Sequence, residues 1–314
     1  DSSSIVAAGT EAAARRAVGA VLDAADWAVG AAGAGGRERR ALVLARPPGH
    51  HNGCDERIEE LERHAWRHGA HGGCIFNETA VAIRHLRARA LSPPKRFVVV
   101  DLDVHFGDGT AWHFYEDPDV LCISVHLDQS DLHVFPYLKG KAEERGSGPG
   151  LGATLNLPLA EGMGDAEAMR LLQDFAWPRA REHAPDVLFL SLGFDGLRGD
   201  PSGSGIQYTK AFFEHAVAAC CALCPRTVCT LQGGYLPEDM AAAVAAVIPV
   251  LAGQPPSQPP ATGEVAEGFE AFASSIGRAL SDRAQWWSVG RSFDYVPEGF
   301  DAEEGEEESA AEDA

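Results

Sequence analysis

The run Asp101 to His105 (DLDVH) alternates acid, apolar, acid, apolar, imidazole. Side chains two apart on an extended backbone share one side, so Asp101, Asp103 and His105 are expected to project together. Carboxylates beside an imidazole, behind a stretch as apolar as FVVV, are costly to bury unless a cation or hydrogen bonds satisfy them. Metal ligation is the economical explanation, although a single Asp in this place also serves as a helix cap. A further donor, Asp195, stands in SLGFDG after another apolar run. Asp103, His105 and Asp195 would offer a divalent ion two oxygens and one nitrogen. Three protein ligands leave a position for water, as in catalytic rather than structural zinc sites, and zinc lowers the pKa of such a water from about 16 to about 7.

That chemistry also needs a base, and RPPGHH supplies His50 and His51 on a loop stiffened by Pro47 and Pro48. Asp101 and Asp108 are the acids available to orient one imidazole each through a ring N–H. One histidine would accept the proton of the attacking water, and its protonated neighbour would stabilise developing charge or supply the leaving-group proton. Tyr235 follows Gly233 and Gly234, which let the backbone approach a ligand closely. Its phenol would donate to the oxyanion of a tetrahedral intermediate; packing at a helix start is the alternative.

These residues need a scaffold that brings them together. Short apolar runs recur at 41–45, 97–104, 120–126, 187–193 and 227–234, separated by helical periodicity over 10–29, 76–91, 165–183, 209–224 and 237–252. Continuous apolar strands alternating with amphipathic helices predict a parallel sheet covered on both faces, and ligands of such sheets collect beyond the carboxyl ends of the strands. The candidate residues all follow strand ends. The expected organisation is one α/β domain over residues 1–252, a Pro-rich linker over 253–263, a helical extension over 264–297 and a disordered acidic tail over 298–314.

The segments RPPGHH, GGCIFNETAVAI, VVVDLDVHFGDGT, SLGFDGLRGDP and LQGGYL, in this order, resemble the histone deacetylase and acetylpolyamine amidohydrolase family, nearer its class II branch. The resemblance runs from about Asp1 to Gly253. It implies the arginase/deacetylase fold, a three-layer α/β/α sandwich with a central, mostly parallel sheet. It implies one catalytic Zn2+ on Asp103, His105 and Asp195, with His50 and His51 as tandem catalytic histidines partnered by Asp101 and Asp108. Tyr235 would polarise the carbonyl, while Phe135, Gly73, Gly233 and Gly234 would line the substrate site. It also implies K+ on backbone oxygens of Asp101, Asp103 and His105, with Ser124 and Val125 nearby. The reaction implied is hydrolysis of N6-acetyl-lysine in proteins such as histones. An acetylpolyamine deacetylase, a binuclear manganese ureohydrolase and a silent acyl-lysine-binding scaffold are the rivals.

The sequence departs from the family pattern in several places. Phe106 stands where a second histidine usually follows the ligand histidine; that residue is no ligand, so the chemistry is expected to survive. Gly73 replaces the aromatic that commonly precedes Cys74, which predicts a wider mouth. FPYLKG (135–140) replaces FPGTG, and a longer insert fills 52–71. The family's first strand is expected to lie before Asp1, so the amino end reads as incomplete.

Composition bounds the rest. The 314 residues are 45% hydrophobic and 23% charged, enough for a real core. Net charge is −20, from 46 acids against 26 bases, and 301–314 holds eight acids and no Lys or Arg. Direct DNA binding, which needs a basic stripe, is not expected. No apolar stretch is long enough for a membrane span, and the amino end lacks a secretory pattern. Seven scattered Cys predict reduced thiols and an intracellular setting, nucleus or cytoplasm. His64, His68 and His71 could share a helical face and a second metal, but lack the Glu of HExxH. The Cys221/Cys224 pair reads as buried thiols, 146–152 as a turn, and Trp286 and Trp287 as docking residues.

Overall fold

The computed structural model describes residues 4–30, 38–53, 71–88, 93–129, 135–136, 139–203, 205–258 and 265–281. His64, His68, most of the 52–71 insert, Trp286, Trp287 and the acidic tail lie outside the described residues.

Among the described residues, six strands form one all-parallel sheet: β1 (Arg39–Val43), β2 (Phe97–Asp101), β3 (Val120–Leu127), β4 (Thr154–Leu159), β5 (Val187–Leu192) and β6 (Arg226–Leu231), in the order β1-β6-β5-β2-β3-β4. Strands buried on both faces read as unbroken apolar runs, and alternate residues explain why. Val98 and Val100 of β2, with Leu188 and Leu190 of β5, join the larger core, whereas Phe97, Val99, Val187 and Phe189 join the smaller one behind them. Helices α1 (Thr10–Val29) and α2 (Glu78–Ala88) cover the smaller core through Val21, Ala25, Ile83 and Leu86. The other face is covered by α4 (Asp165–Leu171), α5 (Trp177–His183), α6 (Lys210–Leu223), α7 (Pro237–Leu251) and α8 (Phe269–Ser281). Three layers result, as expected. Helix α8 buries Phe269, Ala273, Ile276 and Leu280 in the main core.

Several boundaries differ from the sequence reading. Strand β2 stops at Asp101, so Asp103 and His105 lie in a loop and not on the strand end itself. Their common direction is kept by local bonds: the Asp103 N–H donates to Asp101 Oδ1 (3.1 Å) and the His105 N–H to Asp103 Oδ1 (2.9 Å), the turn chemistry typical of Asp. The periodic stretch 165–183 is interrupted by a π-helical turn, Leu172–Ala176. Pro178 cannot donate to the preceding turn, and the wider turn just before it accommodates the loss. Two elements were not foreseen. The short helix α3 (Asp108–His113) hides in a glycine-rich loop, and β4 carries Pro158, which only an edge strand tolerates.

Candidate active site

The candidate residues gather at the carboxyl edge of the sheet, Asp101 as the last residue of β2, Ser124 and Val125 within β3 and the others in the loops beyond, where bonds extend the ladder past the strands. The Leu102 N–H donates to the Ser191 carbonyl (3.0 Å), the Gln232 N–H to Leu192 (2.9 Å) and the Phe194 N–H to Gly233 (3.1 Å). The ends of β2, β5 and β6 are thus tied to one another, and Asp103, Asp195 and Gly233 become neighbours.

His105 Nδ1 lies 3.1 Å from both Asp103 Oδ1 and Asp195 Oδ2. One donor atom from each of the three residues falls within 4.8 Å of the others. The remaining carboxylate oxygens are held in place: Asp103 Oδ2 accepts the Gly233 N–H (2.7 Å) and Asp195 Oδ1 the Val104 N–H (3.1 Å). Asp103 and Asp195 are fully buried and Asp101 nearly so. No Lys or Arg pairs with any of the three among the described residues. Carboxylates crowded in a dry interior with only imidazoles for company call for a cation, and the donor set of two oxygens and one nitrogen suits a divalent ion with an open position. The residues fit the metal that the sequence implies.

The backbone is crowded against this cluster. A Cβ on Gly193 would lie 2.1 Å from Asp103 Oδ2, and one on Gly233 2.2 Å from Asp195 Oδ2. Gly233 is therefore required by the carboxylates themselves, a different reason from the approach of an external ligand. Gly234, with φ of 118°, turns the chain toward Tyr235.

His50 and His51 stand beside the cluster with rings 3.9 Å apart. His50 Nδ1 meets Asp101 Oδ2 at 3.0 Å, and His51 Nδ1 meets Asp108 Oδ1 at 2.8 Å. The two pairs differ in charge balance. Asp108 is also bonded by Lys139 Nζ (2.6 Å), and His71 Nε2 lies 3.1 Å from its Oδ2; burial opposes its charge, but Lys139 together with the hydrogen bonds from His51 and His71 outweighs burial and keeps Asp108 ionised well below the ordinary carboxylate range. Asp101 has no such cation. Burial opposes charging of His50, but Asp103 and then Asp101 more than offset it and lift its pKa to about 9. Burial, followed by the charge on His50, depresses His51 to about 3. The result is one imidazolium and one neutral imidazole side by side.

Phe135 sets its ring edge-on to His51 (4.8 Å between centroids) and His105 (5.7 Å), making an apolar wall over the cluster. Among the described residues nothing lies within 4 Å of the position a Gly73 Cβ would occupy. Tyr235 is 48% exposed at the rim, its N–H fixed to Asp200 Oδ2 (2.7 Å) and its ring under the Arg46 guanidinium. Burial of part of the ring, then the charges of Asp103 and Asp195, push its hydroxyl up to about 12, so it stays a neutral donor. Ser124 is the register partner of Asp101 on β3, and its Oγ lies 2.8 Å from His126 Nδ1; Val125 follows it. Phe106 packs against His126.

Reading the sequence missed four participants. Lys139 and the role of His71 at Asp108 carry no local signal. Together with His51 and Asp108, His71 forms a second cluster of possible donors, but Lys139 already supplies its positive charge. Glu78 and Gln232 lie within GGCIFNETAVAI and LQGGYL but were given no role of their own, and both are buried behind His50.

Comparison with known proteins agrees with this geometry. Residues 1–251 match the family model described as the histone deacetylase domain, and the chain belongs to that family. Histone deacetylase clr3 of Schizosaccharomyces pombe is 32% identical over 269 residues, which cover 85% of this chain and 36% of that protein. Polyamine deacetylase HDAC10 of Homo sapiens is 35% identical over 257 residues, covering 81% and 36%. The crystal structure of the HDA15 HD domain superposes with a TM-score of 0.71 at 30% identity, covering 86% of this chain and 67% of that one. The chain thus spans about a third of the length of the two curated relatives.

Proposed function

We propose that this protein is a zinc-dependent amidohydrolase that removes the acetyl group from N6-acetyl-lysine in protein substrates such as histone tails. The observation that carries the reading is the convergence of Asp103, His105 and Asp195 beside two separately partnered histidines. When bound to those three residues, zinc would polarise the amide carbonyl and acidify a water molecule.

The chain's own groups divide the remaining tasks. Neutral His51, steadied through Nδ1 by Asp108, leaves Nε2 free to take a proton from the attacking water. His50, held through Nδ1 by Asp101, stabilises the developing negative charge and, with His51, returns a proton to the departing lysine amine. The Tyr235 hydroxyl donates to the carbonyl oxygen as it becomes an oxyanion. Phe135 and its neighbours exclude water and receive the thin apolar stem of acyl-lysine. Backbone oxygens of Asp101, Asp103 and His105, with Ser124 and Val125, would hold K+ on the far side of the same loop.

A second reading, acetylpolyamine hydrolysis, is favoured by the similarity to the human polyamine deacetylase and by the net charge of −20, which attracts free amines. The zinc-loaded protein should be assayed on acetyl-lysine peptides and acetylated polyamines side by side. A kcat/KM higher on the peptides is expected; a preference for polyamines would reverse the assignment. Asp195→Ala should lose metal and turnover together, and acyl-lysine binding without hydrolysis by the unaltered protein would instead support a silent scaffold.

A further inference from the structure

Gln232, completely buried just after β6, makes four polar contacts. Its Nε2 donates to Glu78 Oε1 (2.6 Å) and to Thr230 Oγ1 (3.1 Å). Its Oε1 accepts the backbone N–H groups of Gly49 (3.0 Å) and His50 (3.2 Å). Two backbone donors on one side require the oxygen there, and an acceptor carboxylate on the other requires the NH2, so only one orientation of the amide satisfies both. Without Gln232 the Gly49 and His50 N–H groups would face an apolar interior with no acceptor, an expensive arrangement.

Glu78 is equally constrained. It opens α2, and its side chain presses on the loop that carries the histidines: a Cβ on Gly49 would lie 1.8 Å from Glu78 Oε2 and 2.2 Å from the Phe76 carbonyl oxygen. The loop can pass only because residue 49 is glycine. A continuous chain of contacts therefore runs from the start of α2 through Glu78 and Gln232 to the backbone of His50. From there the His50 ring reaches Asp101, and the next residue along Gln232, Gly233, bonds Asp103.

We propose that Glu78 and Gln232 form a buried positioning pair that fixes the His50–His51 backbone relative to the Asp103, His105 and Asp195 cluster. Neither residue touches substrate; each acts through the loop and through Gly233. The proposal rests on the deacetylase reading for its kinetic consequence, while its structural part does not depend on it.

Two variants separate positioning from mere space filling. Gln232→Met keeps length and volume but removes every hydrogen bond. The double variant Glu78→Gln/Gln232→Glu exchanges donor and acceptor, leaving oxygens for Gly49, His50 and Thr230 and an NH2 to bridge the pair. A positioning role predicts that Gln232→Met lowers kcat about 10-fold to 100-fold with KM within about 3-fold, since small misplacements of catalytic groups are this costly. In the metal-free protein, hydrogen exchange of the peptide containing Gly49 and His50 should quicken by about 10-fold or more. The exchanged double variant should stay within about 3-fold of the unaltered protein on both readouts.

The proposal is overturned if Gln232→Met leaves kcat and amide protection unchanged, or if the double variant is impaired as deeply as Gln232→Met or does not fold. Should Gln232→Met itself fail to fold, the double variant decides alone. If the unaltered zinc-loaded protein turns over none of the acetyl-lysine or acetylpolyamine substrates, the deacetylase reading fails. Amide exchange in the metal-free protein then still tests the pair.

Discussion

At His105 the hydrogen bonds to Asp103 and Asp195 outweigh burial and hold the imidazole in its charged form up to about pH 10, whereas a ligating imidazole must be neutral. Asp195, raised to about 6 by burial and then by Asp103, also binds a proton at mildly acidic pH. A divalent ion placed among these groups displaces those protons and opposes the carboxylate field that keeps His50 charged. The sign follows: metal binding releases protons, so affinity should climb with pH, by about tenfold per unit for each proton displaced. Between pH 6 and 8 the His105 proton alone gives roughly a 100-fold gain in zinc affinity. Titration calorimetry of the metal-free protein, in buffers of different ionisation enthalpy, should show at least one proton released per zinc at pH 7; a pH-independent affinity would contradict the ligand assignment. Residue by residue, spacing alone made only the short-range part of this site legible, whereas Asp108, Asp195 and Tyr235 were read from strand-end placement and the motifs around them. Asp101, Asp103 and His105 lie within five positions, and the two histidines are adjacent. Lys139 at Asp108 and Gln232 at Glu78 are joined across 31 and 154 positions, distances over which spacing conveys nothing until the fold closes.

At the scale of elements, strands buried on both faces betray themselves by unbroken apolar runs, and β2, β3, β5 and β6 were legible within a few residues for that reason. Of the edge strands, β1 was read two residues late and β4 was missed. Every residue of β1 is only partly buried, so its apolar pattern does not mark its limits, and pairing with β6 starts it two residues before the apolar run. In β4, Pro158 obscures a strand that needs hydrogen bonds on one side only. What these elements deliver to the site is close backbone approach at their carboxyl ends, and Gly193, directly after β5, tests that claim. An added methyl there would lie 2.1 Å from Asp103 Oδ2 and 2.5 Å from Asp103 Cα, contacts that cannot be relieved by a side-chain rotation alone. Gly193→Ala is therefore expected to push β5 and the Asp103 loop apart, weakening zinc binding by about tenfold or more and destabilising the fold by about 1–3 kcal/mol. Metal content after dialysis, together with urea denaturation, would measure both; an alanine variant that keeps its zinc and its stability would show that the loop has slack.

Across the whole molecule, charge is the property that local geometry leaves open. The net charge is −20, yet the groups nearest the mouth include Lys139, Arg46 and His71. Their local effect is small where it can be judged, since Lys139 is held at 2.6 Å by Asp108 and the pair is nearly neutral beyond its immediate surroundings. A cationic substrate arriving from solution therefore experiences mainly the acidic whole. At low salt, where the Debye length exceeds about 10 Å, that field should speed encounter with Lys-rich acetylated peptides and with polyamines alike. Raising ionic strength from about 0.05 to 0.5 M is expected to lower kcat/KM on such substrates by roughly 3-fold to 10-fold, chiefly through KM, because screening removes steering without touching the buried chemistry. An acetyl-lysine peptide with no other charge should show little change over the same range. The comparison distinguishes two modes of recognition: parallel salt profiles for charged and uncharged peptides would mean that the apolar stem entering beside Phe135 accounts for selection and that the acidity serves another purpose, whereas divergent profiles tie substrate choice to the charge of the entire chain.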